Sequence, residues 1–233
     1  MPLTKNKKEI KEFLPAAFKL QIEKEAKEAE ERSKFSDGPA LYLKAPKEGK
    51  NPKTGLPEAG SVEFRVLSEA VFGWTLWYTN EEGQRRCMRW ADADLTAQGI
   101  EGGAIPEEML PPNYETKGDK IKKPKIAKAL FMAIYNITED AIQMWDLDKS
   151  TMIDQFIAAV TNPSFGNAKD FDFIWSRTGE LTDTVHTLQP QPPYELPPEY
   201  LKRYEDANVN VEAHARNLSL DQIWGHIEPK TDD

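Results

Sequence analysis

The strongest constraint on the fold of this chain is a series of short apolar segments between residues 61 and 188, rich in aromatic and β-branched residues and separated by turn residues. Such alternation of apolar and polar residues is typical of strands that bury one face. The first three segments predict strands over residues 62–66, 74–79 and 85–90. A turn sequence at 80–83 separates the last two, and we expect the three to form an antiparallel meander.

A long excursion then precedes a second group of strands. Residues 91–124 contain several glycines and prolines but little strand pattern. Segments 127–137 and 141–147 are again apolar, and the three residues between them, 138–140, predict a hairpin turn.

One helix and two more strands follow. Residues 149–162 have apolar side chains at helical spacing and end at an Asn-Pro pair, so they predict a helix with Asp148 or Ser150 as its N-cap. Residues 171–178 and 184–188 predict the last two strands.

This order of elements favours a mainly β fold. Three strands, a hairpin, a helix and two strands suit a small antiparallel barrel with one helix plugging an end, which is the arrangement of the oligonucleotide/oligosaccharide-binding (OB) fold. A plain β-sandwich remains an alternative. We expect residues 57–190 to form this domain.

The two flanking regions differ from the domain in composition. Residues 1–56 are dense in Lys, Glu and Ala and then in Gly and Pro, which predicts a charged helical arm followed by a linker. Residues 191–233 begin with a proline-rich run and carry an excess of acidic residues, which predicts an extended acidic C-terminal tail.

Several classes of protein are disfavoured. Cys87 is the single cysteine and the three histidines are scattered, so neither an internal disulfide nor a zinc site is expected. Without a long apolar run or a signal sequence, the chain is expected to be cytoplasmic and to bind no membrane. The net charge of −9 argues against nucleic-acid binding unless local groups of cations bind phosphate.

Aromatic side chains and neighbouring cations suggest such a local site. Aromatic platforms bind single strands because every base has a face that can stack. Core packing explains any single ring better than a binding role does, and a solvated loop explains the lysine run between residues 117 and 128 equally well. Taken together, the predicted DNA-binding residues are Trp74, Trp77, Tyr78, Arg85, Arg86, Arg89, Trp90, Lys122, Lys123, Lys125, Lys128 and Trp145.

Features of an enzyme are weak. Three carboxylate pairs have the spacing of possible Mg²⁺ ligands, but no nucleophile or base accompanies them. Phosphate-binding glycine loops and paired metal-ligating histidines are also missing from the sequence. We therefore expect no catalytic residue, no metal and no cofactor. The carboxylate pairs are Asp92/Asp94, Asp146/Asp148 and Asp170/Asp172.

An ordered set of motifs resembles phage-type single-stranded-DNA-binding proteins with an OB fold. The resemblance covers roughly residues 60–190, without the zinc subdomain that some of these proteins contain. The motifs are Phe64-Arg-Val-Leu-Ser68, Gly73-Trp74 with Trp77, Lys128-Ala-Leu-Phe-Met-Ala-Ile-Tyr-Asn136, Ile142-Gln-Met-Trp-Asp-Leu147, Asn162-Pro-Ser-Phe-Gly166, Phe171-Asp-Phe173 and Arg177-Thr-Gly179.

The resemblance implies a non-catalytic function. Such proteins coat single-stranded DNA during replication and recombination, with little sequence preference, in the host cytoplasm when they are phage-encoded. By resemblance, the acidic tail would recruit replication or recombination proteins, and the N-terminal arm would make contacts between subunits. The alternatives are a protein-interaction module of a replication complex, whose barrel face and tails bind peptides, and a metal-dependent nuclease.

Overall fold

A computed structural model describes residues 41–47, 49–50, 57–58, 60–80, 84–111, 116–117, 120–121, 125–179 and 183–224. The expectations for an N-terminal helical arm, for Lys122 and Lys123 and for the last nine residues lie outside this part of the chain. The description below concerns the unit that begins at Leu41.

Seven strands form one antiparallel sheet, so the fold is mainly β as expected. Two short ladders lie outside this sheet, and they pair residues 49–50 with 57–58 and residues 116–117 with 120–121. The seven strands are β1 (Gly60–Val66), β2 (Val71–Thr79), β3 (Arg85–Ala91), β4 (Ile126–Asn136), β5 (Ala141–Leu147), β6 (Asp172–Thr178) and β7 (Val185–Pro190).

The order of the strands corrects the expected meander. β2 and β3 form the predicted hairpin and so do β4 and β5, but β1 does not pair with β2. Both pair instead with the same edge of β4, β2 along residues 126–131 and β1 along 134–136. The linking residues 67–70 contain no Gly or Asn that would favour a tight reversal, so the chain bends and continues.

The sheet remains open, which also corrects the expected barrel. The strands β3, β5 and β7 each pair with one strand only, and no two of these three pair with each other. Residues 41–43, expected in a linker, lie beside β5, where the N–H of Leu43 donates to the Met144 carbonyl at 2.9 Å. This apolar segment therefore covers part of the free edge of β5.

Five α-helices and one 3-10 helix (Glu107–Met109) accompany the sheet in the described residues. The predicted helix is α2, whose Met152 and Phe156 are buried, whereas Ile157 is exposed. Its N-cap is Lys149, which makes no capping side-chain bond, so neither Asp148 nor Ser150 has the expected role. The helices are α1 (Asp92–Ala97), α2 (Ser150–Val160), α3 (Pro198–Ala207), α4 (Val211–Ala215) and α5 (Leu220–Ile223).

The described part of the C-terminal region is not an extended tail. Residues 198–224 form α3 to α5, and Val211, Ile223 and Trp224 pack on Phe131 and Met144 of the sheet. Burying these apolar side chains stabilises a docked segment despite its many charged residues. No helix in the described part of the chain is long and apolar enough to cross a membrane.

Candidate nucleic-acid interface

The β2–β3 hairpin carries most of the predicted binding residues and divides them between its two faces. Its register sets Trp77 opposite Cys87, and Tyr78 opposite Arg86. Because residues alternate between faces along a strand, Trp77 and Arg85 lie on one face while Tyr78 and Arg86 lie on the other. The predicted residues therefore do not form one continuous platform.

Trp77 is the exposed tryptophan of this chain. Its side chain is 43% exposed, whereas each of the other five tryptophans is at most 9% exposed. The indole N–H of Trp77 donates to Oδ2 of Asp148 at 2.6 Å, and the Arg85 guanidinium lies 4.9 Å from the centre of the Trp77 ring. The ring is thus held at its edge and has a cation beside its face.

Three of the predicted stacking tryptophans belong to the core, which corrects their expected role. Trp145 is 1% exposed, between Phe64 and Phe156. Trp74 and Trp90 are also buried, in a cluster with residues of the 91–124 excursion. A ring enclosed by protein has no face on which a base can stack, and so these three residues cannot form the platform in this conformation.

The contact at Gly103 shows how closely the segment 91–124 packs on Trp74. A Cβ atom at position 103 would lie 2.4 Å from a carbon of the Trp74 ring, and the φ angle of Gly103 is +73°. Both observations require glycine there. The Trp74 indole N–H donates to Oδ1 of Asp92 at 2.9 Å, so the polar group of this buried ring is satisfied.

Arg89 is held by an ion pair and is not free to bind phosphate. Its Nε donates to Oδ2 of Asp146 at 2.7 Å, and Nε2 of His214 lies 2.5 Å from the other carboxylate oxygen. Burial acts to raise the pKa of Asp146, but the hydrogen bond and charge of His214, with those of Arg89, lower it. This network fastens α4 to the sheet.

The sequence indicated neither His214 nor the partner of Trp77. His214 lies 68 positions from Asp146, in a polar segment without a recognisable motif. The sequence predicts Asp148 as a possible metal ligand or helix cap, whereas its contact with Trp77 follows only from the pairing of distant strands.

Four further predicted cations, all among the described residues, have accessible side chains. Arg85, Arg86, Lys125 and Lys128 are exposed and make no ion pair within the described residues. Lys125 immediately precedes Ile126, the partner of Leu76, and therefore lies at the strand end beside Trp77. These four side chains can contact phosphate groups.

The three carboxylate pairs have structural partners. Asp94 forms an ion pair with Arg216, as Asp172 does with Arg65, and the Asp170 carboxylate accepts a backbone N–H. Asp92, Asp146 and Asp148 accept the hydrogen bonds described above. No group of three or more potential metal-ligating side chains occurs in the described residues. Each of these carboxylates thus takes part in an ion pair or a hydrogen bond within the fold, and the pairs give no support to a nuclease centre.

Cys87 lies on the Trp77 face but is a poor nucleophile. Burial raises the pKa of the Cys87 thiol to about 12, so the reactive thiolate is scarce at neutral pH. We expect iodoacetamide to modify Cys87 about 10³-fold more slowly in the folded protein than in urea at pH 7, because the thiolate fraction falls by that factor. Mass spectrometry of timed samples measures the two rates. Equal rates would contradict the burial of this thiol.

The candidate surface consequently consists of Trp77 and Arg85 on one face of the hairpin, with Lys125 at the neighbouring strand end. Tyr78, Arg86 and Lys128 lie on the opposite face of the same strands. Comparison with protein-family models, with curated proteins and with solved structures finds no match to this chain.

Proposed function

We propose that this protein binds and protects single-stranded DNA, without catalysis and with little sequence preference, in replication or recombination. The observation that carries the proposal is the exposed Trp77 ring, held by Asp148 and adjacent to Arg85. A base stacked on such a ring gains about 1–3 kcal/mol, and this gain is similar for every base. The proposed surface does not require a closed barrel.

Local cations supply the second part of the proposed interaction. Arg85, Arg86, Lys125 and Lys128 are exposed around the hairpin, although the whole chain has a net charge of −9. Contacts within a few ångströms of the phosphates outweigh distant charges because salt screens fields beyond about 10 Å at 0.1 M. Such binding weakens as salt rises, because each contact releases bound counterions.

The same geometry favours a single strand over a duplex. In a duplex the faces of the bases are stacked on their neighbours and are not accessible to an external ring. A lone exposed indole therefore gains a stacking contact only with an unpaired base, whereas phosphate contacts are available from both forms. Stacking is thus the basis of the expected preference.

Titration of a fluorescently labelled dT oligonucleotide against its matched duplex tests the proposal. We expect the oligonucleotide to bind more tightly than the duplex. The association constant should also fall as salt rises, and the slope of log K against log salt should be as steep as about −2.8 if all four cations contact phosphate, at about −0.7 per contact. Anisotropy at several salt concentrations gives both quantities. Equal affinity for the duplex, or no binding at low salt, would contradict the proposal and favour the protein-interaction module.

A further inference from the structure

A second group of donors lies at the rim of the sheet, away from the hairpin. Arg177 on β6 is directly opposite His186 on β7, so their side chains project from the same face. Lys149 immediately precedes α2, and Gln155 of α2 donates to the His186 carbonyl at 3.2 Å. Helix and strands thereby bring Lys149, Arg177 and His186 to one place.

The hydrogen bond of Trp175 determines what His186 can offer. The Trp175 indole, which can only donate, lies 3.1 Å from Nδ1 of His186. Nδ1 is therefore the unprotonated acceptor, and Nε2 of the neutral ring carries the N–H. Burial, followed by the charges of Lys149 and Arg177, lowers the pKa of His186, which keeps the ring neutral at pH 7. His186 thus has one further hydrogen-bond donor, Nε2.

Arg177 and Lys149 add two charged donors to this group. Nε of Arg177 is buried without a hydrogen-bond partner, and neither side chain forms an ion pair within the described part of the chain. A buried guanidinium N–H without an acceptor costs free energy, so its neighbourhood favours an acceptor group. Among the described residues, the charges of Lys149 and Arg177 lower the pKa of His186, after burial. The group is therefore all donors and net positive.

We propose that Lys149, Arg177 and His186 form a subsite for a phosphate group, and that it takes a backbone phosphate of the strand that stacks on Trp77. A phosphate ion or a phosphodiester presents several acceptor oxygens. These can accept hydrogen bonds from the Arg177 guanidinium, the Lys149 ammonium and the His186 imidazole N–H. Lys149 follows Asp148, the residue that holds Trp77, so the chain connects the two places directly. The assignment to a nucleic-acid backbone rests on the proposed function, whereas phosphate binding does not.

Inorganic phosphate tests the subsite without DNA. We expect the NMR resonance of the Trp175 indole N–H to shift saturably as phosphate is added, because the ligand contacts the imidazole that this N–H bonds. Arg177→Gln and the exposed Lys149→Gln should each reduce the shift. Lys202→Gln, which removes an exposed cation from α3, should leave it unchanged. Absence of a saturable shift in the wild type would overturn the subsite, whatever the affinity for DNA.

The salt dependence of oligo-dT binding tests the source of the phosphate. Losing two contacts in Lys149→Gln/Arg177→Gln should lower the slope of log K against log salt by about 1.4, and weaken binding by about 25-fold at 0.1 M salt. Lys202→Gln should not change the slope. A phosphate-induced shift of Trp175 with an unchanged slope would mean that the site takes free anions only, which overturns the backbone assignment. A chain that binds phosphate but no DNA would instead refute the proposed function.

Discussion

Replacing Trp77 by alanine is expected to weaken binding of oligo-dT by about 5- to 150-fold, the equivalent of losing about 1–3 kcal/mol of stacking on one base. Trp77 is more than 40% exposed, so its removal leaves no large cavity, and the fold should be retained. Anisotropy titration of the same labelled oligonucleotide measures the change, and urea unfolding checks the stability of the variant.

Two control variants separate stacking from general damage to the hairpin. Trp77→Phe keeps an aromatic ring and should retain most of the affinity. Phe72→Ala removes another exposed aromatic ring, 41% exposed, from the opposite face of β2, and should change the affinity less than about twofold. If Trp77→Ala binds as tightly as the wild type, or if Phe72→Ala weakens binding as much, the stacking surface has been assigned to the wrong face.

Replacing Asp172 by alanine is expected to destabilise the fold by about 3–5 kcal/mol. Asp172 lies opposite Arg65 in the sheet, and Nε of Arg65 is 2.5 Å from its carboxylate. Arg65 is fully buried, with its guanidinium 4.3 Å from the centre of the Tyr194 ring. Removing the carboxylate leaves a buried positive charge without its counter-charge, which is much more costly than losing a surface contact.

Urea unfolding of matched variants measures this effect. Glu69→Ala breaks the exposed ion pair with Lys169 and should cost less than about 1 kcal/mol. Arg65→Met/Asp172→Leu removes both buried charges and should recover much of the stability lost in Asp172→Ala. A free energy of unfolding for Asp172→Ala within about 1 kcal/mol of the wild type would show that the Arg65 charge is not buried as described.

Local patterns were sufficient to locate most elements of the sheet. The strand predicted over residues 85–90 is observed as Arg85–Ala91, and the helix predicted over 149–162 as Ser150–Val160. The alternation of apolar and polar residues in strands, and their spacing in helices, involve residues that are close along the chain, so both patterns can be recognised in a single sequence. The partner of each strand depends on contacts between distant residues, which is why the pairing of both β1 and β2 with one edge of β4 was not predicted.

The candidate site was predictable only in part, for a related reason. Trp74 and Trp77 are three positions apart, which in a regular strand directs them to opposite faces of the sheet but does not show which face is covered. The covering residues of Trp74, including Gly103, come from a segment without clear pattern. Similarly, the burial of Trp224 and His214 depends on docking of a polar segment on the sheet, a contact that composition alone argues against.

Intrinsic tryptophan fluorescence during an oligo-dT titration tests the central claim most directly, because Trp77 is the one tryptophan of six that is substantially exposed. We predict saturable quenching in the wild type. In Trp77→Phe, anisotropy should still report binding while most of the quenching is lost. If Trp77→Phe is quenched as strongly as the wild type, or if the wild type is not quenched at low salt, a stacking site at Trp77 is contradicted.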